Sequence, residues 1–107
     1  MKYYKYLYLE EGLEKKKDKI IRKLEENKIQ PGIHLIILSV NGNNHLEIIN
    51  PNLFLQKNYP KEEYFIVGIA KDYFGALEMV EEIVQEVYNE TKGAGIRSYI
   101  LNKEREG

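Results

Sequence analysis

Residues 66–80 read IVGIAKDYFGALEMV, and the spacing of apolar side chains changes within that stretch. Up to Ala70 the run is short, apolar and β-branched, as in a buried strand; from Tyr73 onward Tyr73, Ala76, Leu77, Val80, Ile83, Val84 and Val87 recur at helical spacing. The pattern predicts a strand over 64–70 that turns almost at once into a helix over 73 to about 90, with Glu78, Glu81, Glu82 and Glu86 mainly on the solvent side. Strand, small residue, helix start is also the layout of many phosphate cradles, which makes Gly68, Lys71 and Asp72 candidate ligand-binding residues. A plainer reading competes. Asp72 stands directly before the helical period, where a carboxylate caps free backbone N–H groups and would repel a phosphate. Gly68 and Gly75 then mark close approach of helix to strand, which offsets the roughly 1 kcal/mol that a helical glycine costs.

On either side of this corner the periods alternate. KYYKYLYL at 2–9 favours a strand, with Tyr4, Tyr6 and Tyr8 on one face and Tyr3, Leu7 and Leu9 on the other. Leu13, Ile20, Ile21 and Leu24 mark a first helix from about 13 to 28, stopped by IQPG. IHLIILSV at 33–40, NGNN and HLEII form a hairpin signal, since Asn41-Gly42 tolerates positive φ. A two- or four-residue turn sets Ile37 opposite Leu46 or Ile48. Either choice puts Ile33, Leu35, Ile37, Leu46 and Ile48 on one face, and His34, Ile36, Leu38, Val40, His45, Glu47 and Ile49 on the other. Asn50 and Pro51 suit the cap and first position of a short helical turn, and Asn58 to Glu63 reads as a polar loop. IRSYIL after Gly93 and Gly95 reads as a last strand. The expected fold is a single α+β domain over residues 1–107: a two-layer sandwich in β-α-β-β-β-α-β order, related to the ferredoxin-like plan, with a mixed sheet, two long helices and right-handed crossovers.

Composition narrows function more than it specifies it. Sixteen Lys and Arg against seventeen Asp and Glu give a formal net charge of -1, so the whole molecule does not attract nucleic acid or anionic membranes. Without cysteine there is no disulfide, thiolate chemistry or cysteine metal site, and two histidines would need carboxylates to bind a metal. No stretch reaches the length of a membrane span and MKYYKYLYLEE lacks the form of a signal peptide, so a cytoplasmic location is expected.

LEENKIQPGIHLIILSVNGNNHLEIINPNLFLQKNY together with YFIVGIAKDYFGALEMVEEIVQEVY resembles a small uncharacterised family of low-GC Gram-positive bacteria. The resemblance spans most of the chain and implies no particular activity.

Further candidate sites follow from the residues. A sheet face carrying Tyr4, Tyr6 and Tyr8, continued by Arg97 and Tyr99, is core if helices cover it, a twofold dimer interface if it is open, or a stacking platform for single-stranded RNA. KKKDKIIRK at 15–23 is basic, but its lysines are expected to spread around the helix among Glu14, Asp18, Glu25 and Glu26 as a solvated face. His34, His45 and Glu47 share a face yet lie several residues apart in either register, so no metal site and no cofactor is expected. Ser39 and Ser98 lack a triad pattern, and GAG at 93–95 lacks the spacing and lysine of a phosphate loop. The expectation is a non-catalytic binding or assembly module that homodimerises through a sheet face or edge. The alternative is a small-molecule enzyme with its site at the strand-helix corner near Asp72.

Overall fold

In a computed structural model, which describes residues 1–93 and 95–106, the chain runs β1 (Lys2–Leu9), α1 (Lys17–Glu25), β2 (His34–Leu38), β3 (Leu46–Ile49), β4 (Phe65–Ala70), α2 (Tyr73–Thr91) and α3 (Ile96–Glu106). Short 3-10 turns occupy Glu14–Lys16, Pro51–Leu55 and Lys61–Glu63. The strands form one mixed sheet in the order β1-β4-β2-β3, in which only β1 and β4 run parallel. β2 and β4 are the inner strands. Their near-continuous apolar sequences follow from burial on both sides, where neither face needs a polar residue. The Cα radius of gyration of 13.5 Å is that of one domain of about 100 residues.

Caps form where the sequence places them. The Asp72 carboxylate accepts the Gly75 N–H at 2.7 Å, and the Asn50 side chain accepts the Asn52 N–H at 2.9 Å ahead of Pro51. α2 ends with Lys92 in the left-handed conformation, and α1 is followed by Asn27 at φ 57°. Of GAG at 93–95, Ala94 lies outside the described residues.

Three expectations are corrected. IRSYIL is not a strand: it opens α3, whose Ile96 and Ile100 are buried at i, i+4 spacing while Tyr99 packs beside them. The expected element order therefore ends in a helix, and β1 and β2, both neighbours of β4 but of opposite direction, make no parallel crossover around α1. The hairpin is also longer by an odd number of residues. Ser39 N donates to His45 O at 3.1 Å, leaving a five-residue loop in which the Ser39 hydroxyl accepts the Asn41 N–H and only Gly42, at φ 81°, is left-handed. Leu38 then pairs with Leu46 and Ile36 with Ile48. This one-residue difference turns Leu46 and Ile48 to the side of Ile36 and Leu38.

The helices also do not lie side by side. α2 and α3 form a layer over Tyr4, Ile36, Leu38, Val67 and Ala70; the opposite face, bearing Leu35, Ile37, Ile66 and Ile69, is covered by Leu13, Ile20 and Leu24 around α1 and by Phe54. Gly68 allows the α2 approach. A Cβ there would stand 2.6 Å from Met79 Sδ and 3.3 Å from Tyr8 O. The register breaks once between β2 and β4, setting Val67 and Gly68 in succession toward α2, and four residues of β1, Tyr4 to Leu7, bulge opposite Val67.

Candidate functional site

At the β4–α2 corner the place a phosphate would take is filled from within the chain. The Glu10 carboxylate accepts the Lys71 N–H at 2.7 Å and lies against Gly75, where a Cβ would come within 2.7 Å of its carboxyl carbon. Gly75 is therefore the room that an internal anion requires. With the Asp72 carboxylate also on the first turn of α2, two negative groups already satisfy this helix start. Gly68 is sealed under Met79, the Asp72 carboxylate is taken by the Gly75 N–H, and Lys71 faces a cavity.

That cavity lies on the other side of the corner and has a volume of about 460 Å³. Its wall combines Lys71 with Lys16, Lys19 and Lys23, and its apolar lining includes Leu13, Ile20, Pro31 and Ile33. Lys16, Lys19 and Lys23 stand at i, i+3 and i+7, so the basic run keeps three ammonium groups on one side of the helix instead of spreading them evenly. Among the described residues no carboxylate lines the cavity, and none of its four lysine ammonium groups has a carboxylate within 4.0 Å.

The position of Lys71 is fixed by three neighbours. Glu10 holds its N–H, Gly32 at φ 87° lets the backbone approach so closely that a Cβ would meet Lys71 O at 2.7 Å, and Gly12 at φ 96° leaves space beside the ammonium, 3.1 Å from where a Cβ would be. Gln30, also on the wall, donates to Ile20 O at 3.1 Å and ties the loop before β2 to α1.

Tyr4 and Tyr8 share a sheet face as predicted, but beneath the α2–α3 layer, and Tyr99 meets them from α3 instead of from a strand. Tyr4 is 2% exposed, and its hydroxyl has no hydrogen-bond partner among the described residues. Tyr8 and Tyr99 both donate to Glu86 Oε2 of α2, at 2.6 and 3.0 Å. Burial, and then the Glu86 bond and charge, push the Tyr8 hydroxyl pKa up; burial first and surrounding tyrosines and glutamates next push Tyr4 to about 12. Only Tyr6, 52% exposed, remains accessible for stacking, with Lys103 beside its ring. Arg97 is engaged at the start of α3, donating to Ser39 O at 2.9 Å. This geometry leaves no open tyrosine platform.

His34 bonds Gly32 O through Nδ1 and meets the Tyr73 ring edge-on. Among the described residues no three His, Asp or Glu side chains are placed to hold a metal ion, and no helix is long and apolar enough to cross a membrane.

The remaining unusual surface runs along α2. Gly75, Met79 and Glu86 meet Glu10, Gly68 and Tyr8 on the β1 side of the helix. At 100° per residue, Tyr73, Leu77, Val84 and Tyr88 fall on the opposite flank, toward β3, and all four are exposed. Phe74, 75% exposed, extends the stripe. β3 beside it is an edge strand, paired to β2 alone. Neither the stripe's exposure nor the lysine cavity was legible in the sequence: the α2 stripe reads as core, and the cavity joins residues up to 59 positions apart. Compared with protein-family models, with curated proteins and with solved structures, the chain matches none.

Proposed function

We propose that this protein is a cytoplasmic, non-catalytic assembly module whose working form is a twofold homodimer joined along β3 and the adjoining flank of α2. The observation that carries this reading is the coincidence, on one side of the molecule, of an unpaired strand edge and an apolar helix stripe. An edge strand is self-complementary under a twofold axis, because rotation sets it antiparallel to its copy. Pairing β3 with β3 would continue the sheet into the second protomer and bring the two α2 flanks against each other.

The sizes agree. With aromatic side chains of about 150–250 Å² each, Tyr73, Phe74 and Tyr88 alone leave roughly 300–400 Å² uncovered, comparable to the largest apolar patch of a typical monomer. Leu77, Val84 and the β3 backbone enlarge the patch toward the roughly 800 Å² per partner of a standard interface. The opposite edge is protected in the usual ways: β1 carries Lys2 and Lys5 and a wide bulge, and its Lys5 N–H is taken by Glu104 at 2.7 Å. β3 has no such device beyond Glu47.

Sedimentation equilibrium tests the reading. The expected mass is twice the 12.6 kDa of the chain, and the double variant Leu77→Glu, Val84→Glu is expected to sediment as a folded monomer because both side chains are exposed. A wild-type monomer at high micromolar concentration sinks the proposal.

A further inference from the structure

We infer that the cavity between α1 and the β4–α2 corner is a binding site for a small phosphorylated molecule, held by Lys16, Lys19, Lys23 and Lys71 around its phosphate groups. The inference is independent of the dimer.

Charge density is the first support. The chain as a whole is slightly acidic, yet four ammonium groups converge on one concavity that no carboxylate lines. Like charges gathered without counterions repel one another, and a polyanion relieves that repulsion while gaining charge-assisted hydrogen bonds. Two neighbouring carboxylates bond backbone amides instead of the ammonium groups: Glu10 accepts from Lys71 N and Glu14 accepts the Gly12 N–H at 2.9 Å.

The second support is the construction around Lys71. Two left-handed glycines from separate loops flank it: Gly32 gives the room its carbonyl requires, and Gly12 lies beside its ammonium. A lysine that merely solvates a surface needs no such close backbone approach. Glu10 completes the seat by excluding an anion from the helix start itself, so an incoming phosphate is directed to the ammonium side of the corner.

Volume and lining select the ligand class. About 460 Å³ is within the roughly 300–1,000 Å³ of small-molecule sites and too small for a folded partner. Leu13, Ile20, Pro31 and Ile33 offer apolar contact to the body of the molecule, which favours a phosphate ester with a planar or aliphatic group over inorganic phosphate. Lysines act as point charges without the planar fork of arginine, which suits phosphate oxygens of varied orientation better than a carboxylate.

The test is a titration of the ¹⁵N-labelled full chain, followed by amide shifts, with tripolyphosphate, ADP and AMP as probes and anionic lipid vesicles and mixed-sequence RNA as competitors for the same face. Saturable shifts centred on Gly12, Lys19, Lys23 and Lys71 are expected for the nucleotides, tighter for ADP than for AMP. Lys71→Gln and Lys19→Gln are each expected to weaken ADP by about tenfold, the loss of one charge-assisted contact, with Lys5→Gln unchanged. The glutamine variants keep the lysines' polar, exposed character, and retained dispersion of the remaining amides confirms that they fold. Shifts spread over all lysines without saturation, no loss on Lys71→Gln, or saturable binding of vesicles or RNA with none of the three soluble probes would each overturn the site.

Discussion

Tyr4 and Tyr8 show how two identical side chains on one strand face differ once their surroundings are fixed. Tyr8 reaches Glu86 and Tyr4 reaches no partner, although both lie under the α2–α3 layer. A buried hydroxyl without a bond keeps its desolvation cost, whereas a hydrogen bond to a charged group contributes about 1.5–3 kcal/mol. Tyr4→Phe is accordingly expected to leave stability unchanged or raise it by about 1 kcal/mol, and Tyr8→Phe to lower it by about 1–3 kcal/mol, as read from urea denaturation. Equal losses from both variants would show that Tyr4 has a partner. The sequence carried the shared face of the two residues through alternation, but hydrogen-bond satisfaction depends on a glutamate 78 residues away and leaves no local mark. Asp72 is the opposite case: its capping role was legible, since a cap is set by neighbours three residues along.

Among elements, the strands and the long periodic helix were legible in type, and the last short apolar segment was not. Helix α2 is fixed by five turns of consistent spacing, and β1 and β4 agree with their patterns to within a residue. IRSYIL is six residues long and supports either period; the charged NKERE that follows looks like a tail but continues the helix, keeping Lys103 over the Tyr99 ring at 5.2 Å. The hairpin shows a different limit: NG located the turn, while the buried Ser39 hydroxyl closed it one residue farther out and reversed the faces of β3. Proline at Asn102 distinguishes the two accounts of the last element. Beyond the end of a strand it would be tolerated, but inside α3 it is expected to cost about 3 kcal/mol or more in thermal or urea unfolding.

For the molecule as a whole, the sheet is covered on both faces, so its tyrosines titrate together with unfolding. Tyr3, Tyr4, Tyr8 and Tyr64 all have hydroxyl pKa values above their ordinary 10, in each case first because burial disfavours the phenolate. Below pH 10 they are protonated in both folded and unfolded chains and contribute no pH dependence. Above it the unfolded chain ionises and the folded one does not, so stability falls by about 1.4 kcal/mol per pH unit for each such tyrosine. Tyrosinate absorbance from this buried group is expected to rise only with the loss of circular dichroism. A single smooth titration of all nine tyrosines, with structure intact, would contradict this burial. The overall α+β character was readable from alternating periods. Which surfaces remained open was not, because that depends on the helices taking opposite faces.

The bond from Lys5 N to Glu104, between residues 99 apart in sequence, also bears on how the chain acquires its structure. β1 is the first strand to be synthesised, yet its only ladder partner is β4 and its outer rim is closed by α3. Contacts of such sequence separation slow folding, since loop entropy must be lost before they form. During translation the hairpin of β2 and β3 can assemble alone, while the tyrosine-rich β1 has no ladder partner until β4 has emerged and no cover on its outer rim until α3 follows. A nascent chain stalled before residue 65 would thus present KYYKYLYL as an unpaired, adhesive segment.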